Sequence, residues 1–221
     1  MKSVSNLFAV IYYSCVEVYL TFENILESVL MNPENNKFTL NLGPIEGVHI
    51  SNFVNYSDLR GRLFKAYAEG PIPSFPAKFN TFEHFFTESK KNVFRGMHFQ
   101  GAPHSATKII TIVKGMAIDF LIDMRKDSPT FGTLQIESLS EMTPSSIYIP
   151  KGVAHGYISL SDGTIISYRQ DVAFCGNCDG GFSGEAVSQY LPVIFANTIR
   201  SDKDLHLPEL ESFEFHSRCP K

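Results

Sequence analysis

Residues 150–155 read Pro-Lys-Gly-Val-Ala-His and directly follow the apolar run Ser-Ile-Tyr-Ile at residues 146–149. Proline and glycine two residues apart are typical of a tight turn, because proline presets the backbone and glycine tolerates conformations that other residues avoid. The turn separates one β-strand from the next. We expect the histidine of the second strand, His155, to point into the interior of the protein.

Short β-like runs separated by turn residues continue on both sides of this element from about residue 38. No long helical pattern lies between them, which favours an antiparallel sandwich or barrel over a parallel sheet. We therefore predict a mainly β fold with a few short helices, in a domain over residues 43–221 that follows an N-terminal extension, 1–42. Helix is predicted in the extension and at residues 81–90. The predicted strands are 108–113, 117–124, 132–138, 146–149, 154–160 and 164–168.

The composition is that of an ordinary globular protein, with 43% hydrophobic and 19% charged residues and a net charge of −4. This charge gives no general attraction to nucleic acid or to an anionic membrane. A phosphate-bearing ligand would therefore need a local cluster of basic residues.

The extension contains an apolar stretch at residues 7–22, which Glu17 interrupts. The stretch is shorter than the roughly 20 apolar residues of a membrane-spanning helix, and no small-residue cleavage site follows it. We expect no membrane association. The extension is interpreted either as a segment that packs on the domain or as residues upstream of an alternative start at Met31.

Two of the four cysteines, Cys175 and Cys178, form a C-x-x-C pair in a loop-like context. A zinc site would need further ligands, and the candidates near the C-terminus, His216 and Cys219, have the wrong spacing. A redox pair would be expected to begin a helix. We interpret the pair as two ordinary thiols in a loop.

The pattern P-x-G-x-x-H at residues 150–155 resembles the second sequence motif of the cupin superfamily, which implies a jelly-roll β-barrel. Many cupins bind a metal through this histidine together with an H-x-H pair and a glutamate. Here the matching strand, Arg95-Gly-Met-His98-Phe-Gln100, has one histidine and replaces the other by glutamine. Two histidines without a carboxylate fall short of a catalytic metal site, so we expect no metal and no other cofactor.

Further elements occur on both sides of this strand. In chain order, the set is D-L-R-G at 58–61 followed by Phe64, R-G-M-H-F-Q at 95–100, Lys108, Lys114-Gly115, D-M-R-K-D-S-P-T-F-G at 123–132, I-P-K-G-V-A-H-G-Y at 149–157, Tyr168, and S-D-K-D at 201–204. In these elements and their order, about residues 43–204, which are most of the chain, resemble the dTDP-4-dehydrorhamnose 3,5-epimerase family.

The resemblance implies a substrate in which a 4-keto-6-deoxyhexose is linked to a nucleoside diphosphate. Hydrogens at C3 and C5 flank the ketone and become acidic when the enolate is stabilised. His98 is the expected base, because imidazole titrates near neutral pH, and the resemblance makes Asp202 the carboxylate that orients it. Lys108 is expected to neutralise the enolate oxygen, and Tyr168 to return a proton from the opposite face. His155 lines the pocket or has a structural role.

Arginine and lysine suit the diphosphate, since guanidinium groups bind phosphate oxygens in pairs. The expected contacts are Arg95, Arg60 and Lys203. Gln100 and Phe64 complete the predicted substrate-binding set. The resemblance implies a homodimer in which the hairpin of Arg60 reaches the neighbouring subunit's site, although an arginine in a turn is also compatible with a plain surface position.

The chain departs from the family pattern at several positions near the sugar and base pockets. Lys65 replaces a glutamate and Leu63 an aromatic residue in the hairpin, Glu83-His-Phe85 replaces Gln-x-Asn, and Phe174 replaces a second tyrosine. Residues 175–183 replace an acidic segment that contains tryptophan. We interpret these changes as altered specificity, either for another 4-keto sugar or for epimerisation at a single carbon.

Two other functions remain open from the sequence. A 3,4-ketoisomerase would use the same enolate chemistry and move the carbonyl, whereas a sugar-nucleotide-binding cupin would bind without turnover. A cytoplasmic location is expected from the family alone.

Overall fold

The computed structural model describes residues 39–68, 75 and 78–214. The elements in this part of the chain are mostly β-strands. The strands are β1 (Thr39–Leu42), β2 (His49–Asn52), β3 (Val54–Asp58), β4 (Gly61–Lys65), β5 (Glu83–Ser89), β6 (Phe94–Gln100), β7 (Lys108–Lys114), β8 (Met116–Asp123), β9 (Leu134–Ser140), β10 (Ser145–Ile149), β11 (Val153–Ser159), β12 (Thr164–Gln170) and β13 (Asp179–Gly181). The helices are α1 (Glu185–Ser188), α2 (Pro192–Phe195) and α3 (Asp202–Leu205), and a 3-10 turn covers Leu210–Ser212.

The strands form two antiparallel sheets and a separate hairpin. The six-stranded sheet has the order β1-β2-β10-β7-β12-β5, and the five-stranded sheet has the order β13-β6-β11-β8-β9. Strands β3 and β4 pair with each other. This is the mainly β, cupin-type architecture that the sequence predicts, and each of the six predicted strands is present.

One predicted element has the wrong type. Residues 81–90 contain β5 rather than a helix, and β5 pairs with β12 from Thr164↔Ser89 to Gln170↔Glu83. Phe85 stacks on Tyr168 of the neighbouring strand, with ring centroids 5.0 Å apart and parallel planes. Such cross-strand aromatic pairs stabilise a sheet, so a tertiary contact decides the conformation of this polar segment.

The N-terminal predictions fall mostly outside the described residues, which begin at residue 39. Strand β1 pairs with β2, although residues 39–42 were assigned to the extension. The domain boundary at residue 43 remains a prediction. No helix in the described part of the chain combines the length and the apolarity needed to cross a membrane.

Alternate residues of the central strands build two apolar clusters. In β11, Val153 and Tyr157 belong to the cluster between the two sheets, whereas Ala154 and Ile158 belong to a cluster on the outer face of the five-stranded sheet. Helices α1 and α2 cover that outer face. Since side chains alternate along a strand, His155 lies on the interior face with Val153 and Tyr157.

The loop between β8 and β9 is organised around one carboxylate, that of Asp123. Arg125 donates from Nε to Oδ1 and from Nη2 to Oδ2, both at 2.8 Å. The hydroxyl groups of Ser128 and Thr130 donate to Oδ2 at 2.6 and 2.7 Å. Burial alone would raise the pKa of Asp123, but these donors outweigh it and lower the pKa far below its usual range. The family element at residues 123–132 is therefore a structural loop around a charged aspartate.

We predict that Asp123→Asn lowers the free energy of unfolding at pH 7 by about 2 kcal/mol, because hydrogen bonds to a charged group are lost. The folded-state pKa of Asp123 is depressed, so its contribution is complete above the unfolded pKa of about 4 and is lost as the pH falls through the lower folded pKa. Urea unfolding between pH 7 and pH 3 should show the wild-type advantage shrinking below about pH 4. Asp127→Asn, in the same turn but exposed, is the matched control and should change stability by less than about 0.5 kcal/mol. An equal effect of the two substitutions would contradict this role of Asp123.

Candidate active site

A cavity of about 300 Å³ lies between the two sheets. Strands of the five-stranded sheet form one wall, strands of the six-stranded sheet form the opposite wall, and loops close one end. A volume near 300 Å³ is at the lower end of the range for small-molecule sites. Its lining residues are Phe85, Thr87, Arg95, His98, Gln100, Lys108, His155, Tyr168, Gln170, Phe174, Asp179, Ser201, Lys203 and Asp204.

A β-bulge in β6 turns two functional side chains toward this cavity. Against β11, His98 pairs with His155 and Arg95 pairs with Tyr157, so the register shifts by one residue between them. Arg95 and His98 are three positions apart and would lie on opposite faces of a regular strand. The extra residue, Gly96, has φ of +129° and lets both side chains line the cavity.

His98 contacts a carboxylate, but not the predicted one. Its Nε2 lies 3.0 Å from Oδ1 of Asp204, as an ion-pair contact without a well-aligned hydrogen bond. Asp204 is buried, whereas Asp202 is exposed. The prediction that Asp202 orients His98 is therefore wrong. Both aspartates belong to helix α3, where two positions correspond to a rotation of about 200°, so when one faces the barrel the other faces solvent.

The environment of Asp204 keeps it ionised at neutral pH. Burial alone would raise the pKa of this carboxyl, but contacts with His98, the Gly96 N–H and Ser201 outweigh burial and lower the pKa below its usual range. The Gly96 N–H donates to Oδ2 over 3.5 Å. The ionised Asp204 carboxylate is therefore placed to orient the His98 ring, as the carboxylate of a catalytic histidine pair does.

The opposite wall presents Tyr168 and Lys108. Burial raises the pKa of Tyr168 well above its usual value, and the nearby Tyr157 and Asp119 raise it further, so the phenol keeps its proton at neutral pH. Burial lowers the pKa of Lys108, an effect that Asp179 opposes and Lys203 reinforces. The cavity thus has a histidine–aspartate pair on one wall, and a protonated phenol and a lysine on the other.

His155 forms a second histidine–aspartate pair deeper in the barrel. Its Nε2 lies 2.7 Å from Oδ1 of Asp119, and both side chains are buried. Burial raises the pKa of Asp119, while the charge and hydrogen bond of His155 oppose that increase. Asp119 was missed in the sequence. A lone carboxylate inside the apolar strand β8 could have indicated it, since a buried carboxylate needs a partner.

The remaining predicted cavity residues have partners of their own. Arg95 donates from Nε to Ser89 and from Nη2 to the carbonyl of Glu88. Lys203 forms an ion pair with Asp179. Gln100 lines the cavity, but its amide group bridges two loops, because Nε2 donates to the carbonyls of His104 and Ala173 and Oε1 accepts from the N–H of Cys175. These contacts favour a role for Gln100 in positioning the two loops.

Two predicted residues, Arg60 and Phe64, are not among the residues that line the cavity. Arg60 lies in the β3–β4 hairpin with an exposed side chain and pairs with Asp58 of the same hairpin. Phe64 stacks on Phe53 at a centroid distance of 5.6 Å. Among the described residues of this one chain, neither residue therefore belongs to the site.

The cupin histidines are poorly placed to share a metal ion. His98 and His155 each direct Nε2 at a carboxylate, and Gln100, which replaces the other histidine of the pair, uses its amide between loops. These contacts agree with proton-transfer chemistry by the side chains themselves. Phe85 and Phe174, expected near the sugar and base pockets, also line the cavity. The cavity residues Thr87, Gln170, Asp179 and Ser201 were not predicted. The first three approach the cavity through the pairing of β5, β12 and β13 with other strands, and Ser201 does so as the N-cap of helix α3.

The fold and the site define a cupin-type barrel with a histidine–aspartate pair in the cavity between its sheets. The profile of the dTDP-4-dehydrorhamnose 3,5-epimerase family matches residues 43–212. A curated relative of that name from Salmonella typhimurium is 32% identical over 126 residues, which are 57% of this chain and 69% of the relative. Another from Mycolicibacterium smegmatis is 28% identical over 162 residues, 70% of this chain and 77% of the relative.

The solved structures that resemble this fold include the enzyme of the same name from Bacillus anthracis, with TDP and PPi bound. It has a TM-score of 0.72 and 28% identity, and the match covers 78% of this chain and 99% of that chain. The enzyme from Sulfolobus tokodaii has a TM-score of 0.70 and 30% identity, and the match covers 80% of this chain and 98% of that chain. The chain belongs to the dTDP-4-dehydrorhamnose 3,5-epimerase family and is an isomerase.

We predict that Gly96→Ala destabilises the fold by at least about 2 kcal/mol, since a non-glycine residue is strained at this φ. A Cβ at position 96 would also lie 2.5 Å from Cα of Gly156. Gly61→Ala is a matched control, because Gly61 has a similar φ of +119° and no atom within 4 Å of its added Cβ. Chemical unfolding should show a clearly larger loss for Gly96→Ala, and equal losses would contradict the close approach as its cause.

Proposed function

We propose that this isomerase epimerises a dTDP-linked 4-keto-6-deoxyhexose at C3, at C5 or at both carbons. The observation that carries the proposal is the His98–Asp204 pair on one wall of a cavity that has Tyr168 on the opposite wall. Inversion of a carbon next to a ketone requires removal of a proton from one face and its return to the other. Two proton-transfer groups on facing sheets suit that requirement.

His98 acts as the base in this proposal. With Nε2 directed at Asp204, Nδ1 is the nitrogen that accepts a proton from C3 or C5. The C–H electron pair then forms the C=C bond of an enolate while the carbonyl π electrons move onto the C4 oxygen, and the charged Asp204 stabilises the imidazolium that forms. The contact between His98 Nε2 and Asp204 Oδ1 is loosely aligned, and catalytic hydrogen bonds commonly tighten when substrate binds.

Lys108 and Tyr168 act from the six-stranded sheet. Lys108 stabilises the negative charge that develops on the C4 oxygen, and one preorganised donor of this kind contributes about 3–4 kcal/mol to catalysis. Tyr168 then donates its proton to the other face of the enolate, which inverts the carbon and restores the ketone. The raised pKa of Tyr168 keeps that proton available.

The diphosphate is proposed to lie near Arg95 and Lys203, the basic residues beside the mouth of the site. The related structure from Bacillus anthracis contains TDP and PPi, in agreement with a nucleotide-bearing substrate. We also propose a homodimer in which the β3–β4 hairpin supplies Arg60 and Phe64 to the neighbouring cavity. Its support is the exposure of Arg60, Leu59 and Leu63 on a hairpin that joins neither main sheet.

Two aromatic residues shape the specificity that we propose. Phe85 stacks on Tyr168 and lines the cavity, and Phe174 lines it at the position where the sequence departs from the expected second tyrosine. The loss of one phenol restricts reprotonation in this proposal, so that one carbon exchanges its proton faster than the other.

Proton NMR of dTDP-4-keto-6-deoxyglucose in deuterated water with the protein tests the proposed chemistry. We predict exchange of solvent deuterium into C3, C5 or both with inversion, and loss of this exchange in His98→Asn. Single-carbon exchange would support the restricted specificity. Equal deuterium at both carbons in the inverted product would contradict it.

The control is His206→Asn, because His206 is exposed and bonds through Nδ1 to the backbone carbonyl of Asp202. This variant should exchange at the wild-type rate. A carbonyl that moves from C4 to C3 would instead indicate a ketoisomerase. Binding without any exchange would indicate a binding protein for this nucleotide sugar, and either result would refute the proposed epimerisation.

A pair of substitutions in helix α3 separates the two aspartates. Asp204→Asn should lower kcat by at least about a hundredfold, because a base that loses its orienting charge loses most of its catalytic effect. Asp202→Asn should leave kcat within about twofold of wild type, as expected for an exposed position. Steady-state kinetics on both variants measures this difference. A larger loss of kcat in Asp202→Asn than in Asp204→Asn would instead make Asp202 the partner of His98.

A further inference from the structure

Three potential metal ligands from two loops lie close together. His104 follows β6, and Cys175 and Cys178 lie between β12 and β13. The ligand atoms of the three side chains all lie within 4.8 Å of one another. His104 Nδ1 is 3.4 Å from Sγ of Cys178. Thiolate and imidazole groups are the donors that zinc prefers.

The backbone brings the two cysteines to the same side of one turn. The N–H groups of Cys178 and Asp179 both donate to the carbonyl of Cys175, at 2.9 and 2.8 Å. A C-x-x-C pair in such a turn has the ligand spacing of zinc sites. The third donor, His104, is 71 positions before Cys175 in the chain, which is why sequence spacing did not indicate it.

Hydrogen bonds within the protein fix the two loops relative to each other. The Gly101 N–H donates to the carbonyl of Cys178 at 2.9 Å. The amide of Gln100 bonds to the carbonyls of His104 and Ala173 and to the N–H of Cys175. A cluster whose backbone is already ordered loses less conformational entropy when a ligand binds.

The three ligand atoms would need to move only slightly closer together to bind a zinc ion. In a tetrahedral site with Zn–S near 2.3 Å and Zn–N near 2.0 Å, the ligand atoms are about 3.5–3.8 Å apart. The present upper limit of 4.8 Å exceeds this by roughly 1 Å, which side-chain rotation covers. Cys178 is buried, Cys175 is half-buried and His104 is exposed, so a metal can enter from solvent and a water molecule can complete the tetrahedron.

We propose that His104, Cys175 and Cys178 bind one Zn²⁺ ion, with solvent as the fourth ligand. This site is separate from the cupin histidines and takes no part in the proton transfers. Its neighbours in the chain, Phe174 and Asp179, line the cavity, and Asp179 pairs with Lys203. A bound ion therefore stabilises the loop that forms one side of the cavity.

Metal analysis of the reduced, tag-free full-length protein tests the proposal. After incubation with Zn²⁺ and removal of the unbound ion, wild type should retain about one zinc per chain. Cys175→Ser and His104→Ala, both at accessible positions, should bind zinc at least about tenfold more weakly. Replacement by Co²⁺ should give the thiolate-to-cobalt absorption of a tetrahedral site, and this absorption should be lost in Cys175→Ser.

The matched controls are Cys219→Ser and His206→Ala, which remove a thiol and an imidazole elsewhere. Both should retain the wild-type zinc content and cobalt spectrum. Zinc should also raise the Tm of wild type and raise the Tm of Cys175→Ser less, because a ligand stabilises the state that binds it in proportion to its affinity. Because only a folded protein shows a cooperative thermal transition, the Tm measurement also shows that Cys175→Ser is folded.

Several results would overturn the proposal. One is reduced wild-type protein that retains no zinc, and another is a zinc content that His104→Ala and Cys175→Ser leave unchanged. A C-x-x-C pair that is a disulfide in the purified protein and binds no metal once reduced would assign the cysteines a redox role instead. Metal content is measured without substrate, so these outcomes are independent of the proposed epimerisation.

Discussion

The bulge at Gly96 is the local feature on which the geometry of the site depends. It places Arg95 and His98 on the same face of β6, although their spacing would separate them in a regular strand. The positive φ of this residue and its close approach to Gly156 leave no room for a side chain. The Gly96 N–H also points to Asp204, so the same residue contributes to the environment of the proposed base.

The two histidine–aspartate pairs differ in how far their histidines are buried and in the ionisation of their carboxyl groups. Asp204 has donors that outweigh its burial, so its pKa is lowered and it carries a charge beside a partly exposed histidine. Asp119 is more strongly affected by burial, so its pKa is raised despite the contact with His155. The first pair suits proton transfer to a substrate. In the second pair both side chains are buried, and their contact gives each of them a polar partner that it would otherwise lack.

Gln100 connects the reaction cavity with the cysteine loop. In metal-binding cupins a histidine at this position is a ligand, whereas the amide here ties the loop of His104 to the loop of Cys175. The wall that carries Phe174 and Asp179 therefore combines the short pairing of β13 with β6, in which Asp179 lies opposite Gln100, with hydrogen bonds between loops. The proposed zinc site would add a further stabilising contact at the same place.

The sequence by itself determined the architecture, the positions of six strands and the family, because turns and β-like runs are local and the motifs occur in a fixed order. It also indicated His98, Lys108, Tyr168 and Arg95, all of which line one cavity. Only the tertiary structure decided that Asp204 rather than Asp202 meets His98, since both fit the motif and the rotation of helix α3 selects between them. Strand β5 and the approach of His104 to Cys178 likewise depend on contacts between segments far apart in the chain. No local sequence pattern predicts which of these residues meet.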